Sequence, residues 1–234
     1  MSQPVIEIQD ITFGYDNQKP ILQIDSLCIK RSGRVFISGP SGCGKSSLLG
    51  LISGVLTPKK GRVSILNNPL HEWGASQRDQ FRANHCGVIF QLFNLIPYLS
   101  VIDNVGLPLQ FSQDRKRRIE QTGKSIFDES SRLLSALGIN SDLHKQCVTD
   151  LSVGQQQRVA AARALIGAPE IIIADEPTSA LDAAVCQQFI ELLIQECDTS
   201  QSTLIFVSHD DRLSQYFDDR VDLNRLNTVR EGQE

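Results

Sequence analysis

The sequence predicts an α/β fold built on a mostly parallel sheet. Three observations carry that reading. Short apolar runs of buried-strand length (RVFIS, IIIA and TLIFV) are separated by helix-like segments. A glycine-rich loop, GPSGCGKSS, joins the first of those runs to a helical pattern. Between roughly residues 92 and 165 the pattern turns mostly helical, which reads as an inserted lobe.

Residues 5–11 alternate apolar and polar, as a half-buried strand does. Strand-like pieces follow near residues 21–29 and 62–66, with the buried run Arg34–Ser38 between them. After the glycine loop, Leu48, Leu49, Ile52, Val55 and Leu56 are expected on one helical face. Residues 171–174 form the second buried strand, and Leu181, Val185, Phe189 and Leu192 make another helical stripe. Residues 203–207 form the third strand, and the tail VDLNRLNTVREGQE reads as a short final strand and a frayed end. The expectation is a single domain over residues 1–234, with the helical lobe inserted at roughly 92–165.

At 234 residues, with 41% hydrophobic and 21% charged positions, the chain can bury a sizeable core. A net charge of -4 argues against nucleic-acid binding dominated by basic charge. The basic run QDRKRRIE, residues 113–120, reads as a solvated helix face, with anionic lipid contact as a minor alternative. Six scattered cysteines without a C-x-x-C pair, and no visible export signal, point to a reducing compartment. No apolar run approaches the roughly 20 residues that span a bilayer, so a membrane role is expected to be peripheral.

Residues 39–47 (Gly39, Pro40, Ser41, Gly42, Cys43, Gly44, Lys45, Ser46 and Ser47) fit G-x-x-x-x-G-K-[ST] between a strand and a helix. Glycines let the backbone turn its N–H groups onto phosphate oxygens, and the following helix adds its positive end. Lys45 is expected to reach the β- and γ-phosphates, and the Ser46 hydroxyl to ligate Mg²⁺. In IIIADEP a strand delivers two carboxylates at its C-terminal end, where ligand sites of such sheets lie. Asp175 would hold Mg²⁺ through water, and Glu176 would act as general base on the attacking water. By itself this motif could merely end a strand. Beside a phosphate loop the functional reading prevails.

The string LSVGQ carries Ser152, Gly154 and Gln155, with Ser152 placed to cap a helix that runs to Gly167 and Pro169. It resembles the signature sequence of ABC ATPases, and the motif order matches that family from Tyr15 to about Leu223. The resemblance implies a P-loop NTPase core with a mostly parallel sheet, an antiparallel β subdomain and an inserted helical subdomain. It also implies that ATP and Mg²⁺ are bound and that ATP is hydrolysed. Gln91 matches the Q-loop glutamine, which touches Mg²⁺ and the attacking water. Asp182 matches the D-loop aspartate that works across the dimer, His209 the γ-phosphate switch histidine, and Tyr15 the aromatic that stacks on adenine. Val153 and Cys43 depart from the family pattern, at positions more often Gly and a small polar residue.

In this family two chains pair head to tail, so the resemblance implies a homodimer or a paired ABC ATPase and an integral-membrane permease, and no nucleic acid. The expected place is the cytoplasmic face of the inner membrane. The apolar segment from Leu92 to Leu99, with Phe93 and Tyr98, is expected to form a groove for the permease. PYLSVIDNVGLPL and LSVGQQQRV look most like the exporter ATPases of the lipoprotein-release and macrolide-efflux type. An importer ATPase and a cell-division ABC ATPase are the alternatives. No C-terminal regulatory domain is expected after His209.

Overall fold

The computed structural model describes residues 4–15 and 19–229. β1 (Pro4–Phe13) and β2 (Leu22–Lys30) pair antiparallel, and β3 (Arg34–Ser38) leads through the glycine loop into α1 (Lys45–Ile52). β4 (Lys60–Ile65) and β5 (Asn68–Pro69) return to the first sheet, whose order is β2-β1-β4-β5. Then come α2 (Ala75–His85), β6 (Cys86–Ile89), α3 (Val101–Gly106), α4 (Gln113–Gln121), α5 (Ile126–Ala136) and α6 (Val153–Leu165). β7 (Ile171–Asp175), α7 (Ala183–Ser200), β8 (Thr203–Val207), β9 (Asp219–Asp222) and α8 (Leu223–Leu226) complete the described chain. The second sheet has the order β6-β7-β8-β3-β9, and all its pairs are parallel.

The continuous apolar runs are explained by burial on both faces of this parallel sheet. Phe36, Ile172, Ala174, Leu204 and Phe206 face a cluster formed with α3, α5, α6 and α7. Val35, Ile37, Ile171, Ile173, Ile205 and Val207 face the first sheet and α1. β6 lies directly against α6: a Cβ at Gly87 would come within 2.1 Å of the Ala164 carbonyl oxygen.

Several expectations need correction. α1 ends at Ile52, and Gly54 turns the chain with φ 72°, so Val55 is off the helix and 57% exposed. The buried face of α7 is Cys186, Phe189, Ile190, Leu193 and Cys197; Leu181 precedes the helix, and Val185 and Leu192 are only half-buried. Between residues 92 and 100 the chain is a loop, and helix begins only at Val101. The tail through Val229 is tied down, because Asn227 donates to the Ile21 carbonyl and accepts from the Gln23 N–H. The remaining expected frayed end, residues 230–234, lies outside the described residues.

The basic run is not simply a solvated face either. Arg115 is 2% exposed, and its guanidinium donates to the carbonyls of Ala164 and Ile166, the latter at 2.8 Å from Nε. Burial without a carboxylate partner lowers its pKa to about 10. Arg118 pairs with Glu170 at 2.9 Å. These two arginines dock α4 onto the loop between α6 and β7, leaving Arg117 exposed. Arg115→Met keeps the stem but strands those carbonyls, and should cost about 2–3 kcal/mol. Urea denaturation reads this directly; an unchanged midpoint would show that the guanidinium is dispensable.

Candidate nucleotide site

The loop between β3 and α1 turns on Gly42 and Gly44, at φ 84° and 101°. Both angles fall in the left-handed region where only glycine sits without strain. The loop therefore delivers Lys45 at the first position of α1, the positive end of the helix. The Lys45 ammonium donates to the carbonyls of Gly39 and Pro40 at 2.8 and 3.0 Å. It also lies 3.7 Å from Oε1 of Glu176.

Glu176 follows β7 directly and has φ 44°, a strained value for a side-chain-bearing residue. Its N–H bonds the Val207 carbonyl at 3.0 Å, which ties the turn to the end of β8. Its second carboxylate oxygen stands 3.2 Å from Nδ1 of His209, just beyond β8. Lys45, Glu176 and His209 thus form one chain of contacts along the C-terminal edge of the parallel sheet. Asp175, the last residue of β7, is half-buried, and burial and the Glu176 charge push its carboxyl pKa up against the opposing pull of Lys45.

Asp175 and Ser46 line one cleft of about 830 Å³, which Tyr15 also borders. The Tyr15 hydroxyl is 3.4 Å from Oγ of Ser47, and its ring stands edge-on to Phe13 with 46% of the residue exposed. An exposed aromatic face beside a phosphate loop suits a base. Cys43 is half-buried, with its sulfur against Gly39.

The residues present fit Mg²⁺. A carboxylate with a raised pKa gains by meeting a cation, and Ser46 supplies a hydroxyl in the same cleft. No cluster of three or more His, Cys, Asp or Glu suited to a metal exists among the described residues. Magnesium at nucleotide sites does not need one, since phosphates and water complete its shell.

Other expected site residues are not brought to this cluster. Ser152 caps α6: its hydroxyl accepts from the Gln155 N–H at 3.3 Å, and the Gln155 side chain accepts from the Ser152 N–H at 2.9 Å. Asp182 caps α7 by accepting from the Val185 N–H at 3.0 Å. Gly154 faces Leu181 and Val185, so the two caps are neighbours. No hydrogen bond or ion pair among the described residues joins Ser152, Gly154, Gln155 or Asp182 to Lys45. Gln91 is exposed, two residues beyond the end of β6.

Of the apolar segment, Leu92 and Tyr98 are exposed, at 83% and 82%, but Phe93 is buried in the helical core and cannot line a groove. Phe90 and Phe111 border the 830 Å³ cleft instead. Sequence reasoning also missed Arg163 on α6. It is 9% exposed and donates to the carbonyls of Phe93 and Asn94. The available signal was its spacing: Val159, Ala160 and Arg163 share the buried face of α6. A cation on such a face must find acceptors.

Residues 22–179 match the family described as ABC transporter. The chain is 38% identical over 205 residues to the ABC transporter ATP-binding protein YtrE of Bacillus subtilis, covering 86% of this chain and 84% of that protein. It is 32% identical to the macrolide export ATP-binding/permease protein MacB of Pasteurella multocida, along 100% of this chain but only 34% of MacB. The spermidine/putrescine import ATP-binding protein PotA of Legionella pneumophila is 36% identical, over 94% of this chain and 57% of PotA. Among solved structures, the ATP-binding cassette MJ0796, dimeric in a post-hydrolysis state with ADP and Pi, superposes with a TM-score of 0.79 at 30% identity, covering 93% of this chain and 94% of that one.

The raised pKa of Asp175 makes a signed prediction. Stability from this group is present below the ordinary aspartate value and is lost as pH rises through the raised folded value. At neutral pH the buried charge is therefore a cost. Asp175→Asn should raise the Tm of the nucleotide-free protein at pH 7 while removing Mg²⁺-dependent hydrolysis. A lowered Tm would refute the electrostatic reading.

Proposed function

The chain belongs to the ABC transporter ATPase subunits, and from that premise we propose that it hydrolyses ATP at two sites shared across a head-to-tail dimer and so drives an export-type permease. The observation that carries the shared site is the separation described above. Lys45, Glu176 and His209 are in contact at the sheet edge, while among the described residues the capped N-terminus of α6 makes no hydrogen bond or ion pair with them. A helix N-terminus offers N–H groups to an anion, and a second copy can present it to a γ-phosphate.

In this reading Tyr15 stacks on adenine, and the N–H groups of residues 39–47 hold the phosphates. Lys45 leaves its carbonyl partners for the β- and γ-phosphates. Ser46 and Asp175, with Gln91, hold Mg²⁺, which supplies charge neutralisation at the phosphates. Glu176 takes a proton from the attacking water as that water's oxygen bonds the γ-phosphorus and the bond to ADP breaks. His209 donates to a γ-phosphate oxygen. Ser152, Gly154 and Gln155 of the second copy close over the same phosphate, and Asp182 works across the interface.

No helix among the described residues is long and apolar enough to cross a membrane. The subunit sits peripherally on the cytoplasmic face of the inner membrane, with Leu92 and Tyr98 toward the permease. Export is supported by the segment PYLSVIDNVGLPL and by the alignment with MacB along the whole chain. The likeness to PotA favours import as the second reading. Affinity purification from native membranes separates them: a co-purifying permease with large extracytoplasmic domains supports export, and an importer-type permease with a substrate-binding protein contradicts it.

Glu176→Gln keeps the shape and removes the base. Turnover should fall on the order of a hundredfold or more, since general-base catalysis contributes that much, while ATP still binds. Because hydrolysis reopens the dimer, light scattering should show this variant accumulating as a dimer with ATP. Wild-type turnover would remove Glu176 from the base role.

A further inference from the structure

Arg163 is nine-tenths buried and has no carboxylate partner among the described residues. Burial pulls its pKa down. Its fork is instead closed on two consecutive carbonyls: Nη1 donates to Asn94 at 2.6 Å and Nη2 to Phe93 at 2.5 Å. Charge-assisted bonds of this kind are the strong ones, and the fork fixes orientation as well as distance.

The two acceptor residues are unusual. Phe93 and Asn94 both adopt left-handed backbone angles, φ 58° and 50°, and neither is glycine. Such conformations persist only where the surroundings over-determine them. Here the Phe93 ring is locked in the core, the Phe93 N–H bonds the Phe90 carbonyl at 3.0 Å, and the Asn94 N–H bonds the Leu92 carbonyl at 2.6 Å. Gln91 is the first inner residue of the turn that the Phe90–Phe93 bond closes. Thus the far side of the Gln91 turn is clamped by Arg163, and Arg163 belongs to the same helix whose N-cap is Ser152.

We propose that Arg163 is a positioning residue for Gln91. It holds the strained turn so that Gln91 reaches the Mg²⁺ and water position, and it ties that reach to the α6 helix that presents Ser152 to the second copy. The inference rests on the role given to Gln91 above. Arg163 and Asn94 both border the cleft that also holds Ser46 and Asp175, so the clamp and the metal-side residues share one space.

The test is a double-variant cycle in the full chain, with steady-state ATP hydrolysis and Tm measured for wild type, Gln91→Ala, Arg163→Met and the pair. Misplacing a positioned group typically costs tenfold to roughly a hundredfold, so kcat of Arg163→Met should fall by that order. The KM for ATP should change much less than kcat, because the phosphate loop, Ser46 and Asp175 still hold the nucleotide and its metal. In the Gln91→Ala background, adding Arg163→Met should cost little further. Arg163→Lys, which keeps the charge but not the fork, should lose an intermediate amount of kcat and show the same absorption into Gln91→Ala. If Arg163→Met does not fold, Arg163→Lys carries the cycle. Wild-type kcat in the Arg163 variants that fold, a loss confined to KM, or multiplicative losses in the pair would overturn the inference alone. Wild-type turnover in Gln91→Ala would overturn both the reading of Gln91 and this inference.

Discussion

Four strands of one parallel sheet end on the same edge, and the function depends on that edge. β3 ends in the phosphate loop, β7 in Asp175 and Glu176, β8 in the approach to His209, and β6 in the approach to Gln91. Parallel pairing puts all four C-terminal ends side by side. Only β8 lies between β3 and β7, so a lysine at the start of α1 can touch a glutamate at the end of β7. The ligand crevice of open parallel sheets lies at this edge for the same reason. The strain at Glu176 is held there by a backbone bond to β8, so the carboxylate is placed by the sheet and not by a flexible loop.

Around that edge the chain stores positive groups close to acceptors that a nucleotide can replace. Lys45 rests on two carbonyls and faces Glu176, and a γ-phosphate offers it a stronger partner than either. Asp175 carries its charge at a cost, which a divalent cation relieves. In the proposed dimer the other half of the chemistry comes from the caps of α6 and α7. Ser152 and Asp182 each spend one oxygen on a helix cap and remain exposed at a common surface.

The three doubly buried strands were readable because each holds an unbroken apolar run, VFI, IIIA and LIFV, and the motif residues were readable because phosphate chemistry restricts residue type. Less was readable where periodicity is ambiguous. In α7 adjacent apolar residues allow two phases, and the buried one runs through Cys186 and Cys197 instead of Val185 and Leu192. β6 escaped notice because four residues give no period; it is placed by parallel pairing with β7, and Gly87 lets α6 approach it closely. The segment from Leu92 to Leu99 has no period at all, so nothing in its composition separates buried Phe93 from exposed Tyr98. Arg115 and Arg163 were hidden for a different reason: charge normally marks the surface, and their carbonyl partners are 29 to 70 positions away in sequence.

The central claim is that the phosphate loop of one copy meets the α6 N-terminus of another. The native Cys43 in the phosphate loop makes this directly measurable. In a Ser152→Cys variant, mild oxidation can join the two positions only if their Cα atoms approach within about 7 Å. The account predicts a covalent dimer on denaturing gels, formed with nucleotide present and abolished when Cys43→Ala is added. Absence of that dimer, or its persistence without Cys43, would contradict a nucleotide site shared between two copies.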